Sequence, residues 1–109
     1  MGFAASSARL YMLLARKIDL EFQMQQINQA RLRLQNVMDK VYATSVNNEP
    51  DNPAVVMQEE LQRRIQSQEK RLELIMERIR IQYQAITTEI EGLKKLISSN
   101  VKASFSLLG

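Results

Sequence analysis

Apolar residues recur along this chain at alternating intervals of three and four, in two long stretches separated by one break. In the first stretch, eight of ten positions with this spacing are apolar, and only Lys17 and Arg31 are not. The spacing places side chains along one side of an α-helix, as in a coiled coil. It predicts a first helix over about residues 5–43. The ten positions are Leu10, Leu13, Lys17, Leu20, Met24, Ile27, Arg31, Leu34, Met38 and Val41.

The second stretch repeats this pattern and predicts a second helix over about residues 54–102, followed by an apolar tail at 103–109. Leu61, Ile65 and Gln68 extend the same stripe toward the N-terminus. The positions of the stripe itself are Leu72, Met76, Ile79, Tyr83, Ile86, Ile90, Leu93, Ile97 and Val101.

The break at residues 44–53 contains both prolines and three of the asparagines, and it has no helical periodicity. Asn52 suits the N-cap of the second helix, and Pro53 suits its first turn, where a missing N–H costs nothing. The predicted hinge residues are Pro50, Asp51, Asn52 and Pro53. We therefore expect an all-α fold, with residues 1–109 forming one long antiparallel two-helix hairpin that is coiled-coil-like and oligomerises or polymerises. A domain-swapped arrangement of neighbouring chains uses the same stripes.

Further apolar residues lie off the main stripes, and they predict a second contact surface, because a two-helix molecule has no second layer to cover them. Either a dimeric four-helix bundle or lateral packing in a polymer would bury them. Lys17 and Arg31 interrupt the first stripe, and one interpretation is that their side chains extend out of it into water. The other is that they pair with acidic residues of a neighbouring subunit or face a lumen. The off-stripe residues are Leu14, Ile18, Phe22, Leu32, Val37, Val56, Leu74, Ile75, Ile81 and Leu96.

Both ends of the chain are apolar: Arg9 is the only charge in residues 1–15, and Lys102 is the only charge in residues 96–109. A hairpin brings these ends together, and the resulting apolar end has to be covered by other copies, a partner or a bilayer. The residues expected to pack between subunits are Phe3, Leu10, Leu13, Leu14, Val101, Phe105, Leu107 and Leu108. The residues expected in the seam between the helices are Leu20, Ile27, Leu34, Ile79, Ile86 and Leu93.

Composition argues against catalysis. Cysteine and histidine are absent, and three glycines form no phosphate-binding loop. We expect no enzymatic activity, no catalytic residue, no cofactor and no metal. The net charge of +3 and pI of about 9.4 do not indicate nucleic acid, because acidic and basic residues are closely interleaved in the second helix. No stretch reaches the length of a membrane span, and the N-terminus lacks the pattern of a cleaved secretory signal.

The hinge and the start of the second helix, Pro50-Asp51-Asn52-Pro53-Ala54-Val55-Val56-Met57-Gln58-Glu59-Glu60-Leu61-Gln62, resemble those of type III secretion needle subunits. Those proteins are short helical hairpins that stack into a hollow tube, and flagellar rod and hook components likewise pack helical termini in their core. The resemblance implies export through a type III-like channel and self-polymerisation outside the cell.

We therefore expect a structural subunit that self-assembles through its apolar ends into a needle-like filament or tube. It would lie outside the cell or at its surface after export without a signal peptide, with other copies of itself and a secretion apparatus as partners. The alternative is a cytoplasmic coiled-coil adaptor or export chaperone that forms a discrete dimer or tetramer. A third interpretation, which we do not favour, is membrane association. It would insert Phe3, Leu13, Leu14 and Phe105 and place Arg9, Arg16 and Lys17 at lipid headgroups.

Overall fold

The computed structural model of the chain describes residues 2–45 and 52–108. Two long α-helices contain nearly all of these residues, and no strand occurs among them. Helix α1 covers Phe3–Ser45, 43 residues, and helix α2 covers Pro53–Leu108, 56 residues. The all-α class predicted from the spacing of apolar residues is confirmed.

Both helices extend beyond their predicted ends. Helix α1 includes Thr44 and Ser45, which the sequence assigned to the hinge, and α2 continues to Leu108. Residues 103–108 therefore continue the helix and do not form the separate tail that the pattern suggested. No glycine or proline occurs from residue 93 to residue 108, so nothing there interrupts the helical hydrogen bonds.

Helix α2 begins at a side-chain cap. The Oδ1 atom of Asn52 accepts a hydrogen bond from the backbone N–H of Ala54 at 3.0 Å, and the Asn52 carbonyl accepts one from the N–H of Val55 at 2.9 Å. Asn52 is therefore the N-cap and Pro53 the first helical residue, which confirms the prediction for both. The other two predicted hinge residues, Pro50 and Asp51, lie outside the described residues.

The chain divides into two compact units, and each contains a segment of both helices. Unit 1 consists of Met1–Gln23 and Ile79–Gly109, and unit 2 consists of Met24–Arg78. The predicted seam residues are all buried or half-buried. Leu20, Ile79 and Leu93 are buried and Ile86 is half-buried in unit 1, and Ile27 is buried and Leu34 half-buried in unit 2.

The core of unit 1 is an apolar cluster of Leu13, Ile90 and Leu93. Two polar contacts flank it: Arg9 donates two hydrogen bonds to Oε1 of Glu89, at 2.7 and 2.9 Å, and the Tyr83 hydroxyl donates one to Oε1 of Glu21 at 3.0 Å. Arg9 near the start of α1 contacts Glu89, and Glu21 further along α1 contacts Tyr83, which precedes Glu89 on α2. The two segments of unit 1 therefore run in opposite directions.

The part of the seam in unit 2 differs from the predicted stripe. Leu61 is 41% exposed and Gln68 is exposed, whereas Gln62 and Glu69 are half-buried on either side of the buried Ile65. The inward positions of the neighbouring turns of α2 continue through Gln62, Ile65 and Glu69 at intervals of three and four. Polar residues therefore lie on the inward side of this segment, and the apolar Leu61 lies on the outward side. This more polar seam buries fewer apolar side chains than that of unit 1.

Candidate assembly surface

The ends of α1 and α2 in unit 1 present a group of exposed apolar side chains, which we call the terminal face: Phe3, Val101, Phe105 and Leu107. Their side chains are 56%, 38%, 70% and 89% exposed, respectively. Phe3, Val101 and Phe105 line one shallow groove together with Asn100 and Ser104. Val101 and Phe105 lie on the same side of α2, because residues four apart on a helix do so. Leu107, two positions after Phe105, projects from another side at the same end of α2.

The other residues predicted to pack between subunits have different positions. Leu13 is buried in the core cluster of unit 1, and Leu10 and Leu14 pack against that cluster. These three side chains therefore pack within the chain, against Ile90 and Leu93 of α2 and their neighbours. The side chain of Leu108, the last predicted member, lies outside the part of the chain whose side chains are described.

Lysines lie next to the terminal face. Lys94, Lys95 and Lys102 line one side of α2 together with Ser98 and Ser99. None of the three lysines forms an ion pair with any residue in the described ranges. Their ammonium groups are therefore available to an acidic surface.

A second exposed apolar surface follows α1 in unit 1. Tyr11, Ile18 and Phe22 are 72%, 67% and 57% exposed, and the intervals of seven and four residues place them on one outward side of the helix. The chain itself therefore leaves this side of α1 uncovered.

The sequence predicted this second surface in part. Of the ten off-stripe residues, nine are exposed, and only Leu14 is half-buried. The prediction missed Tyr11 and the 68% exposed Met12. Tyr11 lies seven residues before Ile18, which is two helical turns. Extending the spacing of Ile18 and Phe22 toward the N-terminus therefore identifies Tyr11 as part of the same side of α1.

The two charged residues in the first stripe are both half-buried. The Nζ atom of Lys17 lies 5.7 Å from the centre of the Tyr83 ring, which is within the range of a cation–π interaction. This contact lies inside unit 1, so Lys17 has a partner within its own chain.

Unit 2 has exposed apolar residues near the start of α2. Val56 and Met57 are 63% and 72% exposed, and Met57 and Leu61 line a shallow groove with Glu60. Asp39 and Glu59, also in unit 2, are exposed acidic residues. Arg64 lines the same groove and forms an ion pair with Glu60 at 2.9 Å, so this part of the chain combines apolar side chains with charges of both signs.

The whole chain exposes 8489 Å². A folded monomer of its mass, 12.6 kDa, exposes roughly 6200 Å² by the general relation between surface and mass. The chain therefore exposes about a third more surface than expected for a monomer of this mass.

In the described ranges, no group of three or more acidic side chains is placed to hold a metal ion. Over the same residues, neither helix has a segment that is long and apolar enough to cross a bilayer. No protein-family model matches the chain, and no curated protein and no solved structure matches it either. The arguments about function therefore depend on the exposed surfaces.

Proposed function

We propose that this protein is a structural subunit that self-assembles through its terminal face into a needle-like filament or tube. The observation that carries the proposal is the exposure of Phe3, Phe105 and Leu107 together with Val101 at the adjoining ends of the two helices. Large contiguous apolar patches on a protein surface mark sites of association. The partners of the subunit are further copies of itself.

The exposed side of α1 supports a polymer. A subunit that contacts neighbours only at its ends forms a single thread, whereas a tube also needs lateral contacts along the subunit. Tyr11, Ile18 and Phe22 supply an apolar lateral surface that the chain itself leaves uncovered. The large exposed area of the single chain is consistent with a subunit that buries surface on assembly.

The resemblance of the hinge to type III secretion needle subunits supports the same function. It places assembly outside the cell or at its surface, after export without a signal peptide through a type III-like channel. It implies a structural role, without catalysis and without a cofactor, and a transient contact with the secretion apparatus. Contacts with nucleic acid or a membrane are not part of this proposal.

One observation favours a second function, that of a cytoplasmic adaptor or export chaperone. The outward stripe on α1 would also be covered if two chains formed a four-helix bundle. In that case the terminal face binds a client protein, and the complex is a discrete dimer or tetramer whose mass does not grow with concentration.

Replacing the two most exposed side chains of the terminal face tests the proposal. Phe105→Ser and Leu107→Ser together remove two apolar side chains, each of which contributes about 1.5–3 kcal/mol when buried. We expect the association constant to fall by about a hundredfold or more, since about 1.4 kcal/mol corresponds to a factor of ten. Light scattering and negative-stain electron microscopy over a concentration series measure the loss of assembly.

Ala103→Ser is the matched control, because it places the same weaker helix former on the same turn without removing a large apolar side chain. Its assembly should equal that of the parent. If the double variant also assembles like the parent, the terminal face is not the contact between subunits. A parent chain with a fixed small mass at every concentration would instead favour the adaptor.

A further inference from the structure

The outward stripe on α1 is longer than its three large side chains, Tyr11, Ile18 and Phe22. Three alanines lie on the same side of the helix, and they too are exposed. The six positions follow one another at alternating intervals of four and three, which is the spacing of a second coiled-coil seam. The next two positions at this spacing are Gln25 and Gln29, so the stripe ends within unit 1. Its six residues are Ala4, Ala8, Tyr11, Ala15, Ile18 and Phe22.

The stripe is complementary to itself in side-chain size. From its first residue to its last, the order is small, small, large, small, large, large. If a second copy of the stripe is laid against it in the opposite direction, with the two centres aligned, each small side chain faces a large one. Alternation of large and small residues across facing positions lets two surfaces interdigitate without voids. The facing pairs are Ala4 with Phe22, Ala8 with Ile18, and Ala15 with Tyr11.

A parallel arrangement lacks this complementarity, because each residue then faces its own counterpart in the second copy. Three levels of the contact would hold two alanines each, and the other three would hold two large side chains each. Close packing disfavours both, since the first leave voids and the second push the helices apart. The order of the six residues therefore favours the antiparallel arrangement.

The charged residues near the stripe do not oppose this arrangement. Asp19 and Glu21 come level with residues 5–7 of the second copy, which are uncharged. Arg9 and Lys17 come level with each other, but both contact α2 of their own chain, on the other side of α1 from the stripe. Like charges therefore do not meet across the stripe.

The area that the chain exposes is sufficient for this contact in addition to one at the terminal face. It exceeds the area expected for a folded monomer of this mass by about 2300 Å². Each partner in an interface of standard size contributes about 800 Å². One contact of standard size therefore leaves much of the excess area uncovered.

We propose that the outward stripe of one copy packs antiparallel on the outward stripe of a second copy, around a two-fold axis. The inference rests on the proposed function for its role, because it names the partner of the lateral surface in the assembly. A two-fold contact uses the same patch on both copies and closes as a pair. The stripe and the terminal face share no residue, so the pair can be extended through its terminal faces.

Cysteine cross-linking tests which positions face each other, because the chain has no cysteine of its own. One variant carries Ala8→Cys and the other Ile18→Cys, and both also carry Phe105→Ser and Leu107→Ser, which remove the terminal contact. We expect oxidation of an equimolar mixture to form mainly the mixed disulfide, identified by its mass, because a disulfide needs the two residues to lie close together. A parallel pairing would instead join two copies of the same variant.

An exchange of side-chain size gives the quantitative test, in the same background of two serines. Ile18→Ala sets two small residues against each other, and Ala8→Ile sets two large ones against each other. We expect each substitution alone to raise the dissociation constant of the pair, measured by sedimentation equilibrium, by about tenfold. The two together again place a large residue opposite a small one, so the constant should return to within about threefold of the background value.

Ile81→Ala is the matched control, because Ile81 is 61% exposed in unit 1 but lies on α2, outside the stripe. It removes the same side chain as Ile18→Ala and should leave the dissociation constant unchanged. Circular dichroism of each variant checks that the helices are retained.

Several outcomes overturn the pairing. If oxidation joins like variants in preference to unlike ones, or if the double substitution binds no better than Ile18→Ala, the stripes do not pair antiparallel, and the filament stands if the unmodified chain polymerises. If the unmodified chain stays a monomer at every concentration, both proposals fail, and its flotation with phospholipid vesicles would show that a membrane covers the stripe. A pair that forms as predicted in a chain that never polymerises supports the pairing and removes the filament.

Discussion

At the scale of single residues, neighbouring apolar side chains have opposite environments. Leu20 is fully buried in unit 1, whereas Ile18, two positions earlier on the same helix, is 67% exposed. Truncation of a buried side chain loses its transfer free energy and leaves a cavity, and truncation of an exposed one does neither. Substitutions at these two residues therefore separate effects on the stability of the chain from effects on the proposed assembly.

We expect Leu20→Ala to lower the free energy of unfolding by about 2–5 kcal/mol. Ile18→Ala should change it by no more than about 0.5 kcal/mol, as is usual for surface substitutions. Urea denaturation followed by circular dichroism, at concentrations below the onset of assembly, measures both. Equal effects of the two substitutions would contradict the assignment of the seam.

The spacing of apolar residues predicts the burial of some side chains and not of others. The spacing of three and four correctly predicted that Leu20, Ile79 and Leu93 are buried. It did not separate Leu13, which is buried within the chain, from Phe3, which is exposed. Both are apolar residues near the N-terminus at helical spacing, and only the extent of the opposite helix determines which one is covered.

At the scale of elements, the local sequence predicted the first residue of α2 more accurately than its last residue. A proline after an asparagine predicts a capped start, and the hydrogen bond from Ala54 to Asn52 confirms it. No comparable stop signal occurs near residue 102, and the helix continues to Leu108. The phase of α2 around Ile65 was also missed, because its inward positions there are polar and the apolar pattern follows the outward side.

Removal of the cap should destabilise the start of α2. We expect Asn52→Ala to lower the free energy of unfolding by about 1 kcal/mol, because the Ala54 N–H loses its side-chain acceptor, and Asn52→Asp to preserve stability. Asn36→Ala is the matched control: the same substitution on the exposed side of α1 should raise stability by up to about 0.7 kcal/mol, since alanine is the better helix former. Urea denaturation measures the free energy of unfolding of all three variants. If Asn52→Ala raised it, as Asn36→Ala is expected to do, the result would argue against the cap.

At the scale of the whole molecule, the exposed apolar surfaces exceed what a two-helix chain covers by itself. The terminal face and the outward side of α1 are both uncovered in the single chain. The apolar ends and most of the apolar residues outside the seam were predictable from the sequence. The adjacency of Phe3 to Phe105 was not, because it depends on the pairing of the two helix ends in unit 1.

The most direct test of self-assembly is sedimentation velocity of the full chain over a wide concentration range, with electron microscopy of the same samples. We predict a slow species at low concentration, and above a critical concentration a large species that appears as uniform filaments or tubes. A single sedimentation coefficient, corresponding to a monomer, dimer or tetramer at every concentration, would contradict the filament.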